Sequence, residues 1–187
     1  EALGSRTFIE RQIVRNESYD SYDNALTQKI VRYDGTSDSA QALDFKEVTN
    51  TYGDGAVKGQ ADKTDAITYD KEDATRTFAE HQTVTYTKYD IYGNAVAETI
   101  EKYNASEALL ETKKVTNNVV IPGKPAVSEI EMLLGQNKNS DIITLDAVGS
   151  FSEHQFVEYV KYDVHNNAVK QTVTRYAKDL AALDIKE

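Results

Sequence analysis

The 187-residue sequence has no cysteine, no tryptophan, one methionine and two prolines. Without cysteine there is no disulfide, no thiolate nucleophile and no thiolate-bound metal. The absence leans towards an exported protein without fixing the compartment. Positive charge is also short: 21 Lys and Arg stand against 31 Asp and Glu, a formal charge of −10. That balance repels phosphate backbones and anionic membrane surfaces, so nucleic acid is not expected as a partner. No run approaches the roughly 18 apolar residues a bilayer span needs, and the N-terminus lacks a charged-then-apolar leader. We therefore expect a soluble chain with no membrane span, any export signal being removed or lying outside it. What is present instead is Val, Ile, Leu, Ala and 12 Tyr, accompanied by many Thr and Asn. Such a mixture suits strands with one wet face. The length allows one large domain or two small ones.

Self-similarity organises the chain. The segment Phe8 to Tyr33 aligns without a gap to Phe78 to Tyr103 and again to Phe151 to Tyr176, a spacing of roughly seventy residues. Between the second and third segments 14 of 26 positions are identical, which rules out coincidence. The match continues through Leu43-Asp44-Phe45-Lys46, Leu110-Glu111-Thr112-Lys113 and Leu183-Asp184-Ile185-Lys186. A last block, Asp65 to Asp70, matches Asp141 to Asp146. The units are read as 1–74, 75–149 and a partial 150–187. Glu1-Ala2-Leu3-Gly4-Ser5 resembles the seam Asp146-Ala147-Val148-Gly149-Ser150, so the chain is expected to begin at a unit boundary and end within a unit.

Each long block reads as a β-hairpin. Its arms are β-branched, aromatic and Thr-rich, and at the centre lie Asp23-Asn24, Gly93-Asn94 and Asn166-Asn167. These dipeptides tolerate positive φ at both positions, as a two-residue type I′ turn demands. That turn sets Val164 opposite Val169, Val160 opposite Val173 and Glu158 opposite Arg175, with Phe156 and Tyr162 on the same apolar face. In the second copy the stripe is Tyr89, Ile91, Val96 and Ile100. In the first copy Glu17 faces Ile30, so an end cap with a wetter face is expected. Leu43 to Asn50 and Leu110 to Asn117 should add a third strand, and Ile67 to Tyr69 and Ile142 to Leu145 a fourth. The fold class is all-β: hairpin and meander units stacked into an extended sheet or sandwich, with a barrel the remaining closure. Residues 105–111 and Lys178 to Leu183 are each expected to form a helical turn. Tyr52 to Gly59 and Pro122-Gly123-Lys124-Pro125 read as surface loops.

The run Tyr89-Asp90-Ile91-Tyr92-Gly93-Asn94-Ala95-Val96, followed by Thr99, resembles the YD repeat of the RHS family of bacterial surface and toxin-shell proteins. Tyr162-Asp163, Asn167, Ala168-Val169 and Thr172 repeat it with Asn166 in place of the glycine, and Tyr19-Asp20 and Asn24 keep part of it, with Lys29 at the threonine position. The likeness covers the hairpin only. It implies β-hairpins coiled into large sheets, no catalytic residues within the repeat, and roles in adhesion, encapsulation or scaffolding.

Few residues invite a chemical reading. His81 and His154 recur in Glu-His-Gln, but no second His or Cys lies at ligand spacing and the first copy has Arg11 there, so metal binding is not expected. Glu80, Gln82 and Lys88 return as Glu153, Gln155 and Lys161, and residues that return in every unit usually hold units together. Asp54, Asp62, Asp65 and Asp70 lack the ordered spacing of a calcium loop. Gly53-Asp54-Gly55 is followed by neither Lys-Ser nor Lys-Thr, so it is no phosphate loop. No catalytic, cofactor-binding or metal residue is nominated and no cofactor is implied. The expectation is a non-catalytic structural or adhesive segment of a bacterial extracellular or cell-surface protein. Its partners would be neighbouring repeats or like subunits, with surface glycans or other cell-surface proteins beyond them. The alternatives are a filament subunit completed by strand addition from a neighbour, and a carbohydrate-binding module, which would need an aromatic platform built without tryptophan.

Overall fold

A computed structural model describes residues 11–35, 41–53, 57 and 59–186. The chain runs β1 (Arg11–Tyr19), β2 (Ala25–Tyr33), β3 (Ala42–Thr51), β4 (Lys63–Tyr69), β5 (Phe78–Tyr89), β6 (Ala95–Tyr103), β7 (Leu109–Asn117), α1 (Glu129–Leu133), β8 (Asn139–Asp146), β9 (Phe151–Tyr162), β10 (Ala168–Tyr176) and β11 (Ala182–Lys186). The 11 strands form one antiparallel sheet in simple sequence order. The open extended sheet is thus the architecture, and the hairpins fall where the sequence places them: β1–β2, β5–β6 and β9–β10, with third strands β3, β7 and β11 and fourth strands β4 and β8. Phe8, the seam Glu1–Ser5, Asp54 and Gly55 lie outside the described residues.

Three features correct the sequence reading. First, the hairpin turns are three-residue loops. In each, the first residue's N–H donates to the carbonyl four residues on, and the fourth residue's N–H donates back: Asp20 with Asn24 and Asp23, Asp90 with Asn94 and Gly93, Asp163 with Asn167 and Asn166. Only one residue per turn has positive φ: Asp23 at 63°, Gly93 at 87° and Asn166 at 64°. This is a type I turn closed by a left-handed residue. Val173 consequently pairs with Val157 and not Val160, and Glu158 faces Thr172 while Arg175 faces Gln155. Val164 stands in the loop, 92 % exposed, as does Ile91 in the second hairpin, so the expected apolar stripes do not form.

Second, the first copy is the best packed, not the wettest. Phe45 and Val31 are each 1 % exposed, the most deeply buried large side chains among the described residues. They face each other across β2–β3, and Phe45 stacks on Tyr69 of β4 with ring centres 6.3 Å apart. The connection from β4 to β5 folds back over this front face. It sets the Arg76 guanidinium 3.9 Å from the Tyr69 ring centre and 5.8 Å from that of Phe45, anchored by Arg76–Glu47 and Arg15–Glu72 ion pairs at 3.0 Å. Ile30 is opposite Val14, and Glu17, in a bulge, pairs with Lys29 at 2.8 Å.

Third, residues 105–111 and Lys178 to Leu183 are not helical. Each begins as a three-residue loop of the same kind, closed at Glu107 (φ 59°) and Leu180 (φ 67°), and then enters β7 or β11. The helix lies elsewhere, in the connection from β7 to β8. Ser128 caps α1 in a reciprocal box with Glu131. Burial alone would raise the Glu131 carboxyl, but the Lys138 ammonium and the Ser128 N–H and O–H groups hold it down to about 2. Tyr52 to Gly59, as far as described, and Pro122 to Pro125 are irregular. At Gly53 a Cβ would come within 2.4 Å of the Asp62 carboxylate, so a larger residue there would require that side chain to turn aside.

Candidate functional site

The site that repeats is the junction where one four-strand set meets the next, β4 against β5 and β8 against β9. On the front face His81 of β5 sits opposite Ile67 of β4 and Tyr103 of β6. Its ring lies 5.0 Å from that of Tyr103, its Nε2 is 3.2 Å from both Asp65 carboxylate oxygens, and its Nδ1 is 2.8 Å from Glu107. His154 repeats this, 5.0 Å from Tyr176 and with Nε2 2.5 Å from Asp141. In the first copy Arg11 stands 4.7 Å over the Tyr33 ring. A planar cationic or imidazole group on a tyrosine therefore satisfies the position in all three copies, which explains why Arg can replace His where a metal ligand could not. Among the described residues no three His, Asp or Glu side chains are grouped to hold a metal ion.

The motif tyrosine is the second part of the junction. Tyr89 donates its hydroxyl to the Ala61 carbonyl at 2.6 Å, and Tyr162 donates to the Asn137 carbonyl at 2.6 Å. Both acceptors lie in the connection that leads into the preceding strand. Beside them the Tyr86 N–H donates to the Asp62 carbonyl and the Tyr159 N–H to that of Lys138, each at 2.9 Å. Burial, with Tyr86 and Asp62 nearby, pushes the Tyr89 phenol up to about 12, and burial likewise raises that of Tyr162. Tyr19, with no strand beyond β1 among the described residues, is 54 % exposed. Tyr89→Phe and Tyr162→Phe should each cost about 1 kcal/mol for the lost bond, while Tyr19→Phe should stay within about 0.5 kcal/mol of wild type. Urea midpoints of the three variants check this, and equal losses at all three sites would speak against the junction.

The motif aspartate and asparagine hold the hairpin tip. Asp90 Oδ1 accepts from the Tyr92 and Asn94 N–H groups, each at 2.9 Å, and Asp90 Oδ2 accepts from Asn94 Nδ2 at 2.8 Å. Asp20 with Asn24 and Asp163 with Asn167 do the same. The free side of the asparagine then grips a connection: Asn94 Nδ2 donates to the Met132 carbonyl at 2.6 Å, and Asn24 Oδ1 accepts from the Gly59 N–H at 2.8 Å.

The other sequence candidates are dispersed. Glu80 and Gln82 lie on the back face, opposite in sense to His81; Glu80 meets Lys102 at 3.2 Å. Glu153 accepts from Gln155 at 2.8 Å and lies 3.8 Å from Arg175. Lys88 and Lys161 are exposed beside strand bulges. Asp65 is committed to His81, and Asp62 and Asp70 bracket β4, about 25 Å apart at the rise of a strand. Sequence reasoning missed the partners. Asp65 and Asp141 lie in the matched last block, and Asn50 and Asn117 at the ends of the third strands. The latter donate to the Ala25 and Ala95 carbonyls at 2.9 and 3.0 Å and accept from Thr64 and Ser140. Equivalent placement in the alignment was the available signal.

On the back face a cross-strand ion pair recurs at each second-to-third strand step: Arg32–Asp44, Lys102–Glu111 and Arg175–Asp184. The Arg32 guanidinium keeps the Asp44 carboxyl below the usual carboxylate range, and Arg175 does so for Asp184. Among the described residues no helix is long and apolar enough to cross a membrane. No family model, curated protein or solved structure matches the chain.

Proposed function

We propose that the chain is a non-catalytic structural or adhesive segment of a bacterial extracellular or cell-surface protein, built of hairpin units akin to the YD repeat. The observation that carries this reading is where the recurring side chains are engaged. His81 and His154 hold Asp65 and Asp141, Tyr89 and Tyr162 hold the preceding connection, and the Asp–Asn pairs hold the tips. Their chemistry is directed at neighbouring strands. Inserting further copies of 78–150 tests the reading, because a sheet that grows by addition gains about 19 Å of length per four strands at a strand spacing of about 4.8 Å. We expect the maximum dimension from solution X-ray scattering to rise by roughly that amount per copy, with the melting temperature held or raised. Compaction, or melting that worsens with each copy, would refute it.

A filament subunit is the second reading, favoured by β1 and β11 each pairing on one side alone among the described residues. Light scattering across a concentration series decides it: a concentration-independent monomer removes self-assembly.

A further inference from the structure

We propose that the back face of the sheet, where β4, β5 and β6 run together, carries a docking site for an arginine side chain of a separate polypeptide, seated on the Tyr86 ring between the Asp62 and Glu98 carboxylates. The inference adds a ligand and does not need the scaffold reading. Tyr86 lies opposite Glu98 of β6, and on its other side its N–H donates to the Asp62 carbonyl at 2.9 Å. Across neighbouring strands each acidic residue is thus about 5 Å from the tyrosine. The Tyr89 ring tilts against that of Tyr86 with centres 5.7 Å apart. Burial first, and then Tyr86, Asp62, Tyr52 and Glu98, push the Tyr89 phenol up to about 12, so these five side chains form one cluster.

Glu98 sits half-buried between Tyr86 and Val115, and burial raises its carboxyl. A charge held there without a partner is costly, yet among the described residues neither Glu98 nor Asp62 has an ion-pair partner. Lys113, one row along the same face, is engaged with Glu111 at 3.5 Å. The other copies satisfy these positions themselves. In the first, Asn16 and Gln28 bond to each other at 2.6 Å. In the third, Lys138 takes the place of Asp62 and pairs with Glu131 at 2.5 Å, while Gln171 takes that of Glu98 opposite Tyr159. The occupant follows from how the chain covers its other tyrosines. Arg76 lies 3.9 Å from the Tyr69 ring centre and pairs with Glu47 at 3.0 Å, and Arg11 lies 4.7 Å over Tyr33. At Tyr86 the ring and the carboxylates are present, and a guanidinium would satisfy both. The site is open on a sheet face, so it suits a side chain presented by another surface, and the formal charge of −10 favours a basic one.

The probe is the tripeptide acetyl-Gly-Arg-Gly-amide, titrated into the full chain carrying ring-labelled tyrosine and followed by NMR. We expect saturable shifts at the Tyr86 and Tyr89 rings and none at Tyr159, which has Lys138 beside it. The lysine tripeptide should bind at least about threefold more weakly, having no plane to stack. Glu98→Gln should weaken the arginine tripeptide at least about fivefold. Tyr86→Leu should abolish binding, while Tyr86→Phe, which keeps the ring face and assigns its signal, should stay within about twofold of wild type. Circular dichroism checks that the leucine variant folds, and Glu98→Gln, which removes a charge that burial disfavours, decides the matter if it does not. Absent saturation, equal shifts at Tyr159, binding indifferent to Glu98, or lysine binding as tight as arginine overturns the proposal. A chain that lengthens in the scattering series but ignores the tripeptide keeps the scaffold reading and loses only this one.

Discussion

Phe45→Ala is expected to cost about 3–5 kcal/mol, the range for emptying a buried aromatic site, read as a lowered urea midpoint in the transition that includes β1 to β4. A sheet one layer thick has few places where an apolar side chain loses contact with water on all sides. Phe45 has one because three things coincide: Val31 across β2–β3, the Tyr69 ring across β3–β4, and the connection that brings Arg76 over both rings. The ion pairs Arg76–Glu47 and Arg15–Glu72 are part exposed and worth at most about 1 kcal/mol each. Their effect is to hold the roof in place, and the energy comes from what it covers. The place of Phe45 is taken in the second copy by Thr112 and in the third by Ile185, which is largely exposed. Ile185→Ala should therefore shift stability by no more than about 0.5 kcal/mol. Comparable losses at Phe45 and Ile185 would show that the roof does not create a core.

The contrast shows what the sequence can say. Strand positions were legible, since β-branched arms flanking Asp-x-x-[Asp/Gly/Asn]-Asn loops leave little choice, and β5 and β9 begin at Phe78 and Phe151 as the alignment places them. The faces were not. Reading Asn166-Asn167 as the turn centre ignores Asp163, whose carboxylate takes two backbone N–H groups and the Asn167 amide and so makes the loop one residue longer. The resulting shift, being odd, exchanges inside for outside on one arm relative to the other. It cost Val157–Val173 and gave Val164 a partner it does not have. The core was misplaced for a different reason. Nothing in the polar run Asp70 to Thr77 shows that it folds back over Phe45, because a roof of Arg and Glu reads as any solvated loop does. The aspartates that meet the histidines, Asp65 and Asp141, stayed hidden until the strand order brought the last block of one unit against the hairpin of the next.

Asp90→Ala should cost about 2 kcal/mol at pH 7, since it leaves the Tyr92 and Asn94 N–H groups without their charged acceptor and frees Asn94, which also grips the Met132 carbonyl. Asp90→Asn should cost no more than about half of that, in keeping with about 1 kcal/mol for a single hydrogen bond. Asn104 already performs the same task, accepting from Ser106 and Ala108 N–H groups through its amide oxygen, so only the bond from Asn94 Nδ2 is lost. The two variants also part with pH. Burial alone would raise the Asp90 carboxyl, but the Asn94 side chain and the Asn94, Tyr92 and Gly93 N–H groups outweigh it and hold it below the usual range, and Asn167 and His165 do so for Asp163. A carboxyl depressed in the folded state contributes fully above its unfolded value of about 3.9, and the contribution is lost as pH falls through the folded value. Wild type should thus lose stability below about pH 4, and Asp90→Asn should lose less over the same window, so that the gap between them narrows from pH 7 to pH 3. Urea midpoints at the two pH values decide it. A gap unchanged by acid, or an asparagine variant as unstable as the alanine one, would mean that the motif aspartate is placed for something other than closing its own turn.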